Sequence, residues 1–265
     1  MVEIEIDLKK SLEQNASDYF DKSKKAKHKV ETIKKILEQF KEKLAKVEKE
    51  QFKIQEEKSR EKRVLKWYER FRWFITSEGF LAVGGRDAGS NELVVKKHME
   101  KNDLVFHTDA AGSPFFILKT EGKKPTERSI QEAADAVYIF SKSFKAGVGG
   151  VNSFYVNPDQ VSTTPPSGEY LEKGSFIING KKNHVVPRFN LAIGIMEDGS
   201  VMCAPVNAVK KHCKRFVELQ QSRNEKPSDL AKKIKKKIGG EVDDIIRALP
   251  SGNVNVFKYS FSIYY

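Results

Sequence analysis

The sequence predicts an α+β fold: a long N-terminal coiled-coil helix, then a mostly antiparallel sheet domain with packed helices on one side. Three observations lead there. From about Ser11 to Arg70 there is no Gly or Pro, and the residues are mostly Lys, Glu, Gln, Ala and Leu. From Trp67 onward, short apolar runs alternate with Gly, Pro and Asn-Gly turns, which is how antiparallel strands are punctuated. Between those runs lie segments with helical apolar spacing and capping residues at their starts. The expected boundaries are 1–65 for a strand plus coiled-coil arm, 66–204 for the sheet domain and 205–265 for a basic C-terminal extension.

In chain order, Val2, Ile4 and Ile6 alternate with acidic residues, the pattern of a short strand. The following rod, one long helix or a helical hairpin with a tight tip, carries Val30, Ile33, Leu37, Phe40, Leu44 and Val47 at 3-4 spacing, and Ile54 continues the register past Gln51. Such a repeat makes a narrow apolar seam that buries only against another helix. The seam is therefore expected to pair with another copy of the chain or with an end of the same helix folded back.

A knot of aromatics (Trp67, Tyr68, Phe71, Trp73, Phe74) ends the rod, and a strand from Phe80 to Val83 is closed by Gly84-Gly85. Arg86 and Asp87 follow, then an amphipathic run, Glu92 to Met99, with Lys96, Lys97 and His98. Free N–H groups at such a strand–Gly–helix junction favour an anion. Strands are expected from Asp103 to His107 and from Phe115 to Lys119. Ser129 and Glu132 have capping-box spacing ahead of a helix that Gly147 can close. Val151 to Val156, Ser175 to Ile178, Phe189 to Met196 and Ser200 to Ala204 read as strands, and Pro158 to Glu169 as a long irregular loop. In the tail, Lys210, Lys211, His212, Lys214 and Arg215 form one basic cluster. Ser228 is placed to cap a Lys-rich helix, Asp229 to Ile238, with a single apolar stripe of Leu230, Ile234 and Ile238. A helix from Val242 to Leu249 and a strand from Val254 to Tyr265 complete the chain.

The 265 residues, 39% hydrophobic, leave room for one or two domains with a real core. A net charge of +12 points to a polyanionic partner. The alternative is a Lys/Glu-rich surface of the thermophile kind; the clustering of the excess favours the polyanion. Cys203 and Cys213 have neither a disulfide framework's number nor CxxC spacing, which fits a reducing, cytoplasmic setting. No apolar run is long enough to cross a membrane, and MVEIEIDLKK lacks the pattern of a secretion signal. No cofactor is expected.

Arg86 and Asp87 admit two readings: a local ion pair with Asp87 capping the next helix, or an Arg86 that contacts phosphate or base. GGRDAGS lacks the Gly-Lys-Ser/Thr of a nucleotide-hydrolysing loop. Asp103, His107 and Asp109 share one face of a strand, so a metal-dependent nuclease or nucleotide-processing site is the enzymatic alternative. No nucleophile motif or metal-ligand spacing accompanies them, so no catalytic or metal-binding residue is assigned. Lys145, Lys181, Lys182, His184 and Arg188 lie near Gly- or Pro-rich turns with Phe154, Tyr155 and Tyr170 close in sequence, a mixture suited to looped or single-stranded RNA. A coiled-coil scaffold for another protein is the third possibility.

The runs WYERFRWFITSEGFLAVGGRDAGSNELVVKKHM, DLVFHTDAAGSP, FKAGVGGVNSFYV and VSTTPPSGEYLEKGSFIINGKKN occur in this order. They closely resemble the RNA-binding module of the NFACT family, the NEMF-like proteins of ribosome-associated quality control. The resemblance, of archaeal type, covers roughly residues 1 to 250 and leaves FKYSFSIYY unmatched. It implies a coiled-coil arm and a module that engages tRNA and large ribosomal subunits carrying stalled peptidyl-tRNA. The family's N-terminal domain and its helix–hairpin–helix are not in this sequence, so a C-terminal portion or a short relative is expected. Together with the basic residues, the resemblance implies RNA contact through Arg86, Lys96, Lys97, His107, Lys145, Lys181, Lys182 and Arg188.

Overall fold

A computed structural model describes residues 5–59, 64–164, 171–222, 226–251 and 254–261. They form two compact units, Met1–Lys58 and Ser59–Tyr265.

The first unit is a single helix, α1 (Leu12–Ser59), unbroken over 48 residues, so the hairpin alternative does not hold. Its start is capped reciprocally: Gln14 N donates to Ser11 Oγ at 3.1 Å and Ser11 N to Gln14 Oε1 at 3.0 Å. The seam residues Val30, Ile33, Leu37, Phe40, Leu44 and Val47 are all exposed. Most of the strand expected at Val2 and Ile4, and the side chain of Ile54, lie outside the described residues.

The second unit holds two main antiparallel sheets. The six-stranded one runs in the order β1 (Arg72–Ile75), β2 (Leu81–Gly84), β4 (Phe116–Lys119), β3 (Leu104–Thr108), β5 (Ser153–Val156), β8 (Asn183–Val185). The four-stranded one is ordered β10 (Val201–Ala204), β9 (Leu191–Ile195), β11 (Arg215–Gln221), β12 (Val254–Phe261). β6 (Val161–Ser162) and β7 (Ile177–Ile178) pair separately. Six further α-helices lie among this unit's described residues: α2 (Ala88–His98), α3 (Glu127–Ile139), α4 (Lys142–Ala146), α5 (Val206–His212), α6 (Pro227–Ile238) and α7 (Val242–Ala248). The expectation of an α+β protein holds.

The six-stranded sheet is covered on both faces rather than one. Its strands read as near-continuous apolar runs, and alternate side chains must bury on opposite sides. Phe106, Phe116 and Leu118 pack with Ala133, Ala134 and Val137 of α3, and the same cluster takes in Ala192, Met202 and Ala204 of the second sheet. Between them, Val105 and Ile117 join clusters that include Val95 and Val94 of α2. The second sheet buries Ile193 and Val217 against Leu230, Ile234 and Ile238 of α6 and Ile245 of α7.

Several boundaries differ from expectation for local reasons. The aromatic knot contains β1, since Trp73 and Phe74 pair with Val83 and Ala82. Thr126, not Ser129, caps α3, because the Ser129 hydroxyl is drawn to Glu78 and to Thr76 Oγ1 at 3.0 Å. Glu132 instead accepts from Ser77 N at 2.8 Å. Ser141 then stops and restarts the chain as α4, which Gly147 closes. Asn179-Gly180 makes no hairpin: β7 pairs with β6 and β8 with β5. The tail's basic cluster conceals α5 and β11, and the cap residue of α6 is Lys226 rather than Ser228.

Candidate nucleic-acid interface

The site is built where β2 hands over to α2. A Cβ on Gly84 would lie 2.4 Å from the Phe116 ring, and one on Gly85 would lie 2.0 Å from Asn91 Oδ1, so only glycine lets the helix start this close to the sheet. Asn91 Oδ1 accepts from Phe115 N at 3.2 Å, which fastens the helix to β4. Asp87 caps α2 by accepting from Ser90 N at 2.8 Å, while Ser90 Oγ accepts from Arg86 N at 2.7 Å. Asp87 therefore bonds the helix end and not the Arg86 guanidinium, which it favours only through space.

Beside this junction opens a cleft of about 770 Å³, bounded by the Gly85–Asn91 turn, the end of β3, the loop before β4, the start of α4 and the 172–176 segment. Its lining contains Arg72, Arg86, Lys142, Lys145, Lys173 and Lys182 against Asp87, Asp109 and Glu172, an excess of positive charge. Phe115, Phe140, Phe154 and Phe176 supply aromatic walls. This volume suits a ligand the size of a nucleotide or two, and the mixture of cations with ring surfaces suits nucleic acid.

Arg86 is held rigidly. Its guanidinium donates to the carbonyls of Arg70 (3.1 Å), Phe71 (2.8 Å) and Arg247 (2.6 Å). Arg72 donates to Leu249 O at 3.3 Å and lies 4.3 Å over the Phe140 ring. His107 is half-buried, with its ring 4.2 Å from that of Phe115. Its Nδ1 lies 2.7 Å from Thr108 O, an acceptor only, so Nδ1 carries the proton. Burial lowers the His107 pKa, with the Thr108 and Ser113 backbone pulling the other way. At neutral pH this is a neutral ring, a stacking surface rather than a cation. Lys182 reaches over the Phe154 ring at 4.4 Å and toward Asp109 at 3.8 Å, and His184 Nε2 lies 3.4 Å from the same carboxylate.

Of the residues expected from the sequence, Arg86, His107, Lys145 and Lys182 are brought together in the cleft. Lys96 and Lys97 are exposed on α2 outside it, Lys96 paired with Glu92 at 2.6 Å. Lys181 sits exposed in the turn before β8, where its carbonyl accepts from Gln160 Nε2 at 3.0 Å. Arg188 follows β8, its N–H donating to Asp135 at 2.8 Å. Asp135 is buried on α3 and its pKa is pushed up to about 6 by burial.

The Asp103, His107 and Asp109 grouping is not assembled. Asp103 lies just before β3, at the opposite end from His107, buried and committed to Lys119 Nζ at 2.7 Å, Glu100 N at 2.8 Å and Thr120 N at 3.3 Å. It anchors the start of β3. Three cleft cations escaped the sequence reading: Arg72, Lys142 and Lys173. Only Arg72 left a signal, a cation set between Phe71 and Trp73 in the knot. The tail lysines 232, 233, 236 and 237 are exposed on α6, whose apolar stripe is buried.

Residues 70–180 match the family model described as NFACT protein RNA binding domain. The chain is 37% identical over 200 residues to "Archaeal Rqc2 homolog aRqcH" of Methanocaldococcus jannaschii, covering 73% of this chain and 30% of that protein. It is 42% identical over 130 residues to "Ribosome quality control complex subunit NEMF homolog" of Drosophila melanogaster, covering 49% of this chain and 13% of that one. The chain thus spans less than a third of either relative's length. A solved structure, the C-terminal part of the fibronectin/fibrinogen-binding protein from Streptococcus suis, overlaps at 21% identity over 68% of this chain and 77% of that one, with a TM-score of 0.37.

Proposed function

Residues 70–180 of this chain belong to the NFACT RNA-binding domain family, and from that premise we propose that the chain is the RNA-contacting part of a ribosome quality-control factor. The observation that carries the reading is the cleft, where basic side chains outnumber acidic ones two to one beside aromatic walls. In this reading Arg86, His107, Lys145 and Lys182 contact the strand inside the cleft. Lys96, Lys97, Lys181 and Arg188 neutralise phosphates on the surface around it. The RNA is tRNA, met on a large ribosomal subunit whose peptidyl-tRNA has stalled, and the setting is cytoplasmic. The similarity to ribosome quality control complex subunits supports the ribosomal setting, and the family resemblance implies tRNA as the RNA.

A salt titration of binding tests this, comparing tRNA with an unstructured RNA of equal length. Affinity is expected to fall linearly with log salt at a slope of several phosphate contacts, with tRNA still preferred at about 150 mM salt. Equal and weak binding of both RNAs would refute it. So would an unchanged affinity in a folded variant combining Arg86→Ala, Lys181→Ala and Lys182→Ala.

The exposed 3-4 seam of α1 favours a second role for the same chain. We propose that α1 pairs with the α1 of another copy, since six large apolar residues along one helix bury best against a matching row. Light scattering across a concentration series tests it: a mass that stays monomeric at high micromolar concentration rejects the pairing.

A further inference from the structure

We propose that Arg72 and Arg86 together form a receptor for one phosphate group at the edge of the cleft, and that this group is an internal phosphodiester of the bound RNA. The ligand's source rests on the RNA reading above; the site rests on geometry.

The two guanidiniums are neighbours, both half-buried, and both line the cleft. Burial disfavours the charged form of each, and they repel each other: the Arg72 pKa falls to about 10 through burial first and Arg86 second. Among the described residues neither has a carboxylate at ion-pair distance. Four carbonyls hold them instead, those of Leu249, Arg70, Phe71 and Arg247. Carbonyls satisfy N–H groups and fix direction without neutralising charge. A half-buried cation pair near which the Asp87 carboxylate acts on Arg86 through space, without bonding it, leaves room for a further negative charge.

The donors fit such a visitor. Each guanidinium has five N–H bonds, of which Arg72 uses one and Arg86 three. Those left over can meet two oxygens on one atom, the geometry of a phosphodiester. Because the heads are already positioned, binding costs little side-chain ordering. Lys142 and Lys173 on the same lining can take the neighbouring phosphates.

The test uses the full chain with a fluorescent oligouridylate, in versions with a 5′-phosphate and a 5′-hydroxyl, titrated across a KCl series. Arg72→Gln is expected to weaken binding on the order of tenfold and to flatten the log–log salt slope by about one. Arg72→Lys keeps the slope but loses part of the affinity, since it keeps the charge and lacks the fork. The two oligonucleotide ends bind alike. In parallel, melting is followed in inorganic phosphate and in chloride of equal ionic strength, where the phosphate-specific gain of the wild-type chain is expected to shrink in Arg72→Gln. Should Arg72→Gln fail to fold, the Arg72→Lys comparison decides.

Equal affinities and slopes for wild type and variants overturn the proposal and leave the RNA reading intact. A preference for the 5′-phosphate that depends on Arg72 overturns the internal phosphodiester. Equally tight, equally Arg72-dependent binding of oligoglutamate overturns phosphate as the ligand. Absence of oligonucleotide binding to the wild-type chain removes the RNA reading, and with it the source of the phosphate.

Discussion

Asp135→Asn tests the electrostatics of the wall that carries β8. Asp135 is 2% exposed on α3. Its Oδ1 accepts from Arg188 N at 2.8 Å and from Gln131 Nε2 at 2.7 Å, and Gln131 also donates to Val186 O at 3.0 Å. The carboxylate therefore clips the 186–188 segment to the helix. Burial raises its pKa from the ordinary 3.8 to about 6. In the unfolded chain the group loses its proton near pH 4, in the folded chain only near pH 6. Between those values the folded state binds more protons, so this group's contribution to stability falls as pH rises and is lost above about pH 6. The shift sets a ceiling of roughly 3 kcal/mol on the penalty at pH 7. Asparagine keeps an acceptor for both N–H groups and never ionises. Urea melts of wild type and Asp135→Asn from pH 3.5 to 8 should coincide within a constant offset below pH 4. They should diverge in the variant's favour by about 1–3 kcal/mol at pH 7. A difference that does not change with pH refutes the reasoning.

Asp103→Ala should destabilise the chain by about 3–5 kcal/mol in chemical melts, because it leaves Lys119, which is 11% exposed, with the His98 carbonyl at 2.9 Å and, as counterion, only the exposed Glu100 at 3.0 Å among the described residues. Gly174→Ala should loosen the cleft wall: the new Cβ would meet Ala88 O at 2.3 Å at a φ of +78°. A melting loss of about 1–3 kcal/mol with weaker RNA binding is expected. Acidification should cost stability through His107, since burial holds its pKa low and the unfolded ring protonates first below about pH 6.5. His107→Gln should therefore show a shallower loss between pH 6.5 and 5 than wild type. Lys173→Ala should reduce the salt slope of RNA binding by about one with little effect on melting.

Most strands of the second unit were legible because apolar runs and turn residues bracket them, as at Leu104–Thr108 and Leu191–Ile195. β8 was missed for a physical reason: Asn183 and His184 are exposed on a three-residue edge strand, so no apolar pattern marks it. β11 was hidden by the lysines before it, although Phe216, Val217 and Leu219 are buried there. At Ser129 the local capping signal lost to a tertiary partner, Glu78. The site was half legible. Arg86, His107, Lys145 and Lys182 stand at turns and strand ends, where binding residues gather. Lys142 and Lys173 carry no local mark, and Asp103 misled because strand periodicity aligns a face without saying which end a partner claims.

The bonds from Arg72 to Leu249 and from Arg86 to Arg247 join residues 177 and 161 positions apart. Links of that span carry a high closure entropy and are reached late in folding. Without the 247–249 segment Arg86 keeps the Arg70 and Phe71 carbonyls, whereas Arg72 loses the carbonyl that directs it. The contacts that aim both guanidiniums into the cleft are therefore completed only when this segment docks, so the geometry of this edge depends on a part of the chain far away in sequence.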